Sequence, residues 1–402
     1  MNRKKLVLFT SDYPFGAGET FLETEIKYLC NAFDQVIIIT QNQSAVQTRV
    51  VPKNCSVKRI ELDYSLTTRL TSLLNIFIPI VRTEIRRVGN VYQKKITLGI
   101  LKTILVSFQR AKQVRNYIHT HFHSEFDQTL FYSYWCDDTA LGIALSAFKD
   151  KHVTGISRAH GWDTYFEVSA VNYLPFRSFI SSNLKALFPI SEKGKEIIYK
   201  SWKITRNDHI IVSRLGVNNP FQPVTPEGTV KIVSCSNVNT VKRVHLIAEA
   251  LSQITSLPIE WTHFGDGDLL VELEKKVKKL PVNITVHLRG RIPNNEIFKA
   301  YQEIKPHVFM NVSSSEGIPV SIMEAMSFGI PCIVTNVGGN TEIVTTQNGI
   351  ILQDPPHRDL ICSAIYELLE QPEKREHAYQ TWKTLYHADK NYTSFTSVIL
   401  NL

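Results

Sequence analysis

The stretch "SSSEGIPVSIMEAMSFG", residues 313–329, decides the fold. The run before it, "HVFMNVS", is apolar and reads as a buried strand, which makes Ser313 to Glu316 the loop at its carboxyl end. Pro319 suits the first turn of a helix and Gly329 its C-terminal cap. Ile318, Ile322, Ala325 and Met326 recur at helical spacing and predict one face packed on a sheet, with Glu324 off that face. Glu316 then stands at the helix mouth and Glu324 further along, which separates the two carboxylates by roughly 8–12 Å. The helix N-terminus between them offers unpaired N–H groups and positive dipole character, a natural diphosphate site. A hexose and a ribose joined through a diphosphate match two carboxylates at that separation. The stretch reads as a nucleotide-sugar clamp.

Outward from it, strand-like runs alternate with helical patterns. "VKIVSCS", "PIEWTHFG", "ITVHLRG", "HVFMNVS" and "PCIVTN" are five such runs in the second half; "KLVLFT", "QVIIIT", "QTLFYSYW" and "VTGISRAH" belong to the first. The alternation predicts parallel sheets with helices on both faces. The stretch 213–229, with three prolines, marks the boundary. The expected architecture is α/β, with two Rossmann-like domains facing across a cleft. They span 1–215, with a helical insert at 66–120, and 216–385; the segment 386–402 is expected to pack back on the first domain. In open α/β sheets ligands bind at the carboxyl ends of the strands, which places the ligand in that cleft.

The 402 residues, 43% hydrophobic and 20% charged, suffice for two or three globular domains. The apolar part of the N-terminus is too short for a signal peptide, and "LLNIFIPIV" (73–81) is well short of the ~20 residues of a spanning helix. Six cysteines (Cys30, Cys55, Cys136, Cys235, Cys332 and Cys362) lack C-x-x-C spacing. They suit free thiols in a reducing cytoplasm better than a zinc site. The net charge of +8 is unevenly divided: residues 1–215 hold 29 Lys and Arg against 18 Asp and Glu, the remainder 16 against 19. The first half therefore faces something anionic or presents a solubilising surface. From Arg82 to Arg115 the insert carries nine basic residues (Arg82, Arg86, Arg87, Lys94, Lys95, Lys102, Arg110, Lys112 and Arg115) against one acid, Glu84. A basic amphipathic segment reads as a membrane-surface element, with a solvated helical face as the alternative.

The order strand, Ser-rich loop, E-G-x-P, E-A-M helix, G-x-P, strand, Gly338-Gly339 closely resembles the E-x7-E signature of family 4 retaining glycosyltransferases with the GT-B fold. The resemblance is strong over residues 210–350 and weaker through the N-terminal half. It implies transfer of a sugar from a nucleotide diphosphate with retained configuration, and no protein nucleophile. Glu316 would touch the sugar, Glu324 the ribose, and Gly317, Ile318, Pro319 and Val320 would line the donor at the helix mouth. "SCSNVNTVKRVHLIAEAL" (234–251) resembles the family's diphosphate-holding segment. Lys242 matches its Lys, whereas Asn237 replaces its Arg, with Arg243 available to compensate. Gly290, Arg291 and Ile292 would lie near the nucleobase. "RAHGWDTYFE" resembles the H-G-x-D element of polysaccharide-building members, where His160 faces the transferred sugar and Asp163 helps orient it. Gly16 and Gly18 in "PFGAGETF" would let backbone approach the phosphates and acceptor. The resemblance makes the first domain the acceptor side. No metal or other cofactor is expected, because Lys242, Asn237 and the helix N-terminus take a cation's place. The expected partners are a nucleotide sugar, a lipid-linked or oligosaccharide acceptor and an anionic membrane surface, without nucleic acid. The expected location is cytoplasmic, peripheral at the inner face of the cell membrane.

Blander readings stand beside these. Asp266-Gly-Asp268 mimics a metal motif of a different glycosyltransferase fold but sits in a glycine turn before a helix. His119, His121 and His123 alternate as on an edge strand and read as hydrogen-bonded or solvated histidines. His160 could be a satisfied core histidine. Two rival functions use the same fold: a nucleotide-sugar 2-epimerase-like enzyme, and a non-catalytic binding subunit motivated by Asn237.

Overall fold

The computed structural model describes residues 5–402 apart from 17, 45, 64, 206 and 207, so the charged start at 1–4 lies outside the described residues. The chain forms two units: Met1–Arg214 together with Tyr392–Leu402, and Leu215–Asn391.

The first unit holds a six-stranded sheet of β1 (Lys5–Thr10), β2 (Gln35–Thr40), β3 (Cys55–Arg59), β4 (Thr129–Ser133), β5 (Thr154–Ala159) and β6 (Ala186–Pro189). All pairings are parallel, in the order β3-β2-β1-β4-β5-β6. Leu6, Val7, Leu8 and Phe9 are all buried. A parallel strand covered on both faces needs such an unbroken apolar run rather than an alternating one. The second unit repeats the plan with β7 (Val230–Cys235), β8 (Ile259–Phe264), β9 (Ile284–Leu288), β10 (Val308–Asn311), β11 (Cys332–Thr335) and β12 (Gly349–Leu352), ordered β12-β11-β10-β7-β8-β9. In each sheet the first and fourth strands are neighbours, β1 beside β4 and β7 beside β10. The winding reverses there, and carboxyl-end loops splay apart to leave a crevice. Both units are Rossmann-like, and each has one such point.

The insert of the first unit comprises the helices Leu66–Thr71, Pro79–Asn90 and Leu98–Phe122, with a 3-10 turn at Ser72–Phe77. Its single acid, Glu84, is buried and accepts from the Tyr173 hydroxyl at 2.6 Å and from the Phe176 N–H. Burial pushes the Glu84 carboxyl up, against the pull of those two hydrogen bonds. The basic residues divide. Arg82, Arg86, Lys95 and Lys102 are exposed, whereas Arg87, Lys94, Arg110, Lys112 and Arg115 are half-buried. Lys112 donates to Asn75 at 2.8 Å and Arg110 pairs with Asp138 at 3.3 Å. Part of the cationic stripe is therefore internal bracing.

The histidine alternation does not mark an edge strand. His119 and His121 ride the last turns of the helix Leu98–Phe122 and His123 opens the 3-10 turn after it. The His121 ring stacks on Tyr117, one turn back, at 4.2 Å. A helix end carrying His-x-His-x-His copies the period of a strand, and only the apolar spacing upstream tells them apart.

The chain returns to the first unit through the helix Ala388–Leu400. Phe395 lies over the Arg158 guanidinium, 4.2 Å from ring centroid to cation, and Arg158 pairs with Glu25 at 3.1 Å with both side chains fully buried. Arg158 also donates to the Ser213 carbonyl at 2.8 Å, and Tyr132 donates its hydroxyl to Glu25 at 2.8 Å.

Candidate functional site

In the second unit, the loops after β7 and β10 meet at the reversal point. Asn239 turns the first loop by accepting from the backbone N–H of Val241 and Lys242, at 3.1 and 2.9 Å. Ser314 donates its N–H to the Val241 carbonyl at 2.8 Å and ties the second loop to the first. Lys242 then reaches Glu316, with Nζ 2.7 Å from Oε1. The same oxygen accepts from Asn311 at 3.0 Å and Ser313 at 2.7 Å. Three donors on one oxygen fix the carboxylate's orientation, and none of the three occupies Oε2. The Glu316 side chain is 7% exposed and Lys242 25%, so the pair sits at the lip of the sheet. Gly338 makes this possible: a Cβ there would lie 1.8 Å from the Glu316 carbonyl, so any other residue would push the Glu316 loop aside.

The helix that follows spans Val320–Ser327, with Pro319 as its N-cap residue and Gly329 beyond its end at φ 69°. Every residue from Ile322 to Ser327 is buried, which corrects the placement of Glu324 off the packed face: Glu324 is 3% exposed. The sequence period shows which face is apolar, but the other face also lies under protein. Burial pushes the Glu324 carboxyl up to about 7, a hydrogen bond from the Asn294 amide pulling the other way. Asn294 opens the helix Asn294–Ile304, with Pro293 between it and Gly290, Arg291 and Ile292. The end of the loop 290–293 and Glu324 are thus linked through one side chain. Ile318 is buried, Gly317 and Val320 half-buried.

One expected ligand group, Arg243, is engaged in bracing the fold. Arg243, at φ 49°, donates to the Val312 carbonyl at 2.9 Å and the Ser313 carbonyl at 2.8 Å, and pairs with Asp354 at 2.5 Å. It braces the β10 loop with its Nε and Nη2 donors. Asn237 itself is exposed at the carboxyl end of β7. Asp266 accepts from the Gly267 N–H at 2.7 Å and the Leu270 N–H donates to the Gly267 carbonyl at 3.0 Å, so Asp266-Gly-Asp268 leads into a turn, and the helix Leu270–Val277 after it has no side-chain cap. Among the described residues no cluster of three or more His, Cys, Asp or Glu is arranged to hold a metal.

In the first unit, the loops after β1, β4 and β5 build a second constellation. Asp163 is fully buried and accepts from the backbone N–H of Cys136 at 2.8 Å and of His160 at 2.6 Å. Burial raises its pKa, but His160 and these N–H bonds outweigh it and hold the carboxyl below its ordinary value. Asp163 therefore positions the loop from beneath and is not placed to touch a ligand, a correction to its donor-binding assignment. His160 is 7% exposed; its Nδ1 lies 3.7 Å from Asp163 Oδ2, and neither ring nitrogen has a hydrogen-bond partner among the described residues. Nε2, which has no such neighbour, is a buried polar atom whose unmet bond costs roughly 1–3 kcal/mol, a cost that a ligand would relieve. The ring is enclosed by Trp135 at 4.4 Å, Tyr134 at 5.0 Å and Phe21 at 5.9 Å between centroids.

Glu19, Arg49, Trp135 and Trp162 escaped the sequence reading. Glu19, buried at φ 56°, accepts from the backbone N–H of Ser11, Asp12 and Tyr13 at 2.9, 2.8 and 2.6 Å and from the Trp135 indole at 2.5 Å. Arg49 closes the loop from outside by donating to the carbonyls of Phe15, Gly16 and Gly18. Gly16 and Gly18 thus turn a loop clamped by an acid and a base, and a Cβ on Gly18 would lie 2.6 Å from Asp12. Trp162, 49% exposed, lies 5.2 Å from Trp135. The available signal was an acid inside a Gly-rich loop and a Trp at the carboxyl end of a switch-point strand.

Residues 218–384 match the family model "Glycosyl transferases group 1". The chain is 24% identical over 205 residues to the GtfA subunit of the UDP-N-acetylglucosamine–peptide N-acetylglucosaminyltransferase of Streptococcus parasanguinis, an alignment covering 49% of this chain and 38% of that protein. It is 23% identical over 210 residues to the Escherichia coli O-antigen biosynthesis glycosyltransferase WbnH, covering 49% and 55%. The aligned part spans about a third to a half of these relatives' length. Whole-chain likeness is to solved structures: the lipopolysaccharide outer core galactosyltransferase WaaB (TM-score 0.69, 14% identity, 99% and 100% of the two chains) and the sucrose-phosphate synthase of Thermosynechococcus elongatus (TM-score 0.71, 13% identity, 99% of each). The architecture is therefore GT-B, and residues 218–384, which contain every second-unit side chain described above, carry a glycosyl transferases group 1 domain.

Proposed function

We propose that this chain is a retaining glycosyltransferase that moves a sugar from a nucleotide diphosphate to a lipid-linked saccharide in surface or exopolysaccharide assembly. The observation that carries the reading is the convergence, at one strand-order reversal, of Lys242, Glu316 and the N-terminus of the helix that bears Glu324. The incoming diphosphate competes with Glu316 for Lys242. Once Lys242 turns to the phosphate, Glu316 is free to accept from a sugar hydroxyl, while Glu324 accepts from the ribose. Charge builds on the leaving diphosphate in the transition state and is met by Lys242, Asn237 and the helix N-terminus, with no metal in the scheme. Groups already in place cost no reorganisation at that moment. His160 is the first unit's candidate for a sugar contact, as the family resemblance implies, and the first unit takes the acceptor.

Support for the polysaccharide role comes from relatives named for O-antigen and colanic acid biosynthesis, and for a uridine donor from a structural neighbour, HepE of Anabaena, solved with UDP. The exposed cations Arg82, Arg86, Lys95 and Lys102 suit an anionic bilayer, where a lipid-diphosphate acceptor resides. The test is incubation with UDP-, GDP- and ADP-sugars and a lipid-linked acceptor, followed by nucleotide diphosphate release and the anomeric configuration of the product. Glu316→Gln should abolish transfer and leave nucleotide diphosphate binding nearly intact. Transfer at the normal rate by Glu316→Gln, or an inverted product, would overturn the reading.

A further inference from the structure

The 3-10 turn Ser72–Phe77 is inside out. Its polar residues Ser72 and Asn75 are each 2% exposed, while Leu73 is 56%, Leu74 66% and Phe77 66% exposed, with Leu70 before them at 67%. Asn75 is the anchor: it accepts from Lys112 at 2.8 Å and donates to Gln109 at 3.1 Å, both on the long helix Leu98–Phe122. Those polar bonds hold the segment down, so its leucines and phenylalanine are turned outward by construction. A chain facing only water gains nothing from that orientation, and contiguous exposed apolar patches mark interaction surfaces.

The surroundings of the ridge identify its occupant. No Asp or Glu occurs between Asp63 and Glu84. Arg82 donates to the Ile76 carbonyl at 3.2 Å and lies 5.8 Å over the Phe77 ring, with Arg86 exposed one turn further on. The second exposed apolar pair of the insert, Ile96 and Leu98, is likewise bracketed by the exposed Lys95 and Lys102. Apolar tips with flanking charge of one sign match a bilayer that is apolar within and anionic at its surface.

We infer that residues 70–77 insert into the acyl region of an anionic lipid surface, with Arg82 and Arg86 at the level of the headgroups. This deepens the membrane part of the proposed function and is independent of sugar transfer. Charge alone would give binding that salt removes; an inserted ridge adds binding that salt leaves in place.

The experiment is co-sedimentation of the whole chain with phosphatidylcholine vesicles containing phosphatidylglycerol, at low salt and at 1 M salt, where the Debye length is about 3 Å. The wild type should retain a vesicle-bound fraction at high salt. The variant Leu73→Ser/Leu74→Ser/Phe77→Ser should lose at least about tenfold in vesicle affinity there while keeping its circular dichroism and Tm, since it removes only exposed side chains. In the single variant Phe77→Trp, lipids brominated in the acyl chain should quench emission beyond the wild-type background. Unchanged vesicle affinity of the triple variant, or no added quenching, would overturn the insertion. So would self-association of the wild type in solution that the triple variant abolishes, which would assign the ridge to a second copy. Low-salt binding that 1 M salt fully reverses would overturn insertion and leave electrostatic docking standing. No binding at any salt would overturn both and leave sugar transfer to its own assay.

Discussion

At the scale of single residues, Glu324 carries the sharpest expectation. Its carboxyl ordinarily titrates near 4.5 and is pushed up to about 7 by burial, so folding favours the protonated form. Stability from this group is fully present below pH 4.5 and is lost as pH rises through 7. At about 1.4 kcal/mol per pKa unit, the loss is on the order of 3 kcal/mol. Glu324→Gln should flatten that part of the stability profile of the second unit, measured by chemical denaturation across pH. On the proposed ribose contact, binding runs the other way, because the ionised acid is the stronger acceptor of hydroxyl hydrogen bonds. Affinity for a nucleotide sugar, whose esterified diphosphate is already ionised and does not titrate near neutrality, should rise through about pH 7 in the wild type and lose that inflection in Glu324→Gln. Lys242→Ala should lower kcat/KM by on the order of 2–4 kcal/mol, because a charge-assisted contact to the leaving diphosphate is gone; a wild-type rate would remove Lys242 from the site. The place of Glu316 at a helix mouth was legible in the sequence because strand, loop and cap residues bracket it, whereas Lys242 entered only on the family resemblance. The burial of Glu324 was not, because periodicity says nothing about what covers a helix's second face. The same blindness affected Asp163, whose role depends on N–H groups of two different loops.

At the scale of elements, every strand that escaped the sequence reading lies at a sheet edge: β3, β6 and β12. Edge strands bond on one side only and can be short. "ALFP" and "GIIL" have four residues each, and "CSVKR" is half exposed. The central strands carry longer apolar runs covered on both faces, and those runs are what the eye finds. Loops behave similarly: the Gly-rich loop after β1 was visible, but Glu19 and Arg49, which shape it, sit 30 residues apart and converge only in the fold. Arg243 tests this level. If it braces the β10 loop, Arg243→Ala should strand the Val312 and Ser313 carbonyls and lower stability by about 1–3 kcal/mol. Asn237→Arg, at an exposed position beside that loop, should leave stability unchanged and hold or raise diphosphate affinity. Calorimetric unfolding and nucleotide titration of the two variants separate a brace from a ligand. A stable Arg243→Ala with weakened nucleotide binding would return Arg243 to the site.

At the scale of the whole molecule, the first unit is built from both ends of the chain. The approach of residues 386–402 to the first domain was an expectation of order only; nothing in "ADKNYTSFTSVIL" names the partner that Phe395 and Tyr392 find. That partner is Arg158, a cation fully buried beside Glu25. Removing two charges from water costs several kcal/mol each, and the pair recovers it only with good geometry and further bonds. Here Ser213, Tyr132 and the Phe395 ring complete the set. Phe395 also packs edge-on against Phe188, with centroids 4.9 Å apart, and tilted against Tyr132 at 5.7 Å. Phe395→Ala should therefore cost more than its own apolar area, because the cavity it opens borders an ion pair. The expected loss is about 3–5 kcal/mol. It should fall on the first unit: hydrogen exchange should accelerate in β4, β5 and β6, where Tyr132, Arg158 and Phe188 reside, while β7 to β12 keep their protection. Phe395→Leu should recover most of the packing and none of the cation–π contact, so its shortfall reports what the ring does for Arg158. Equal acceleration in both sheets would mean that the two units unfold as one and that the returning helix serves the whole chain rather than the first unit.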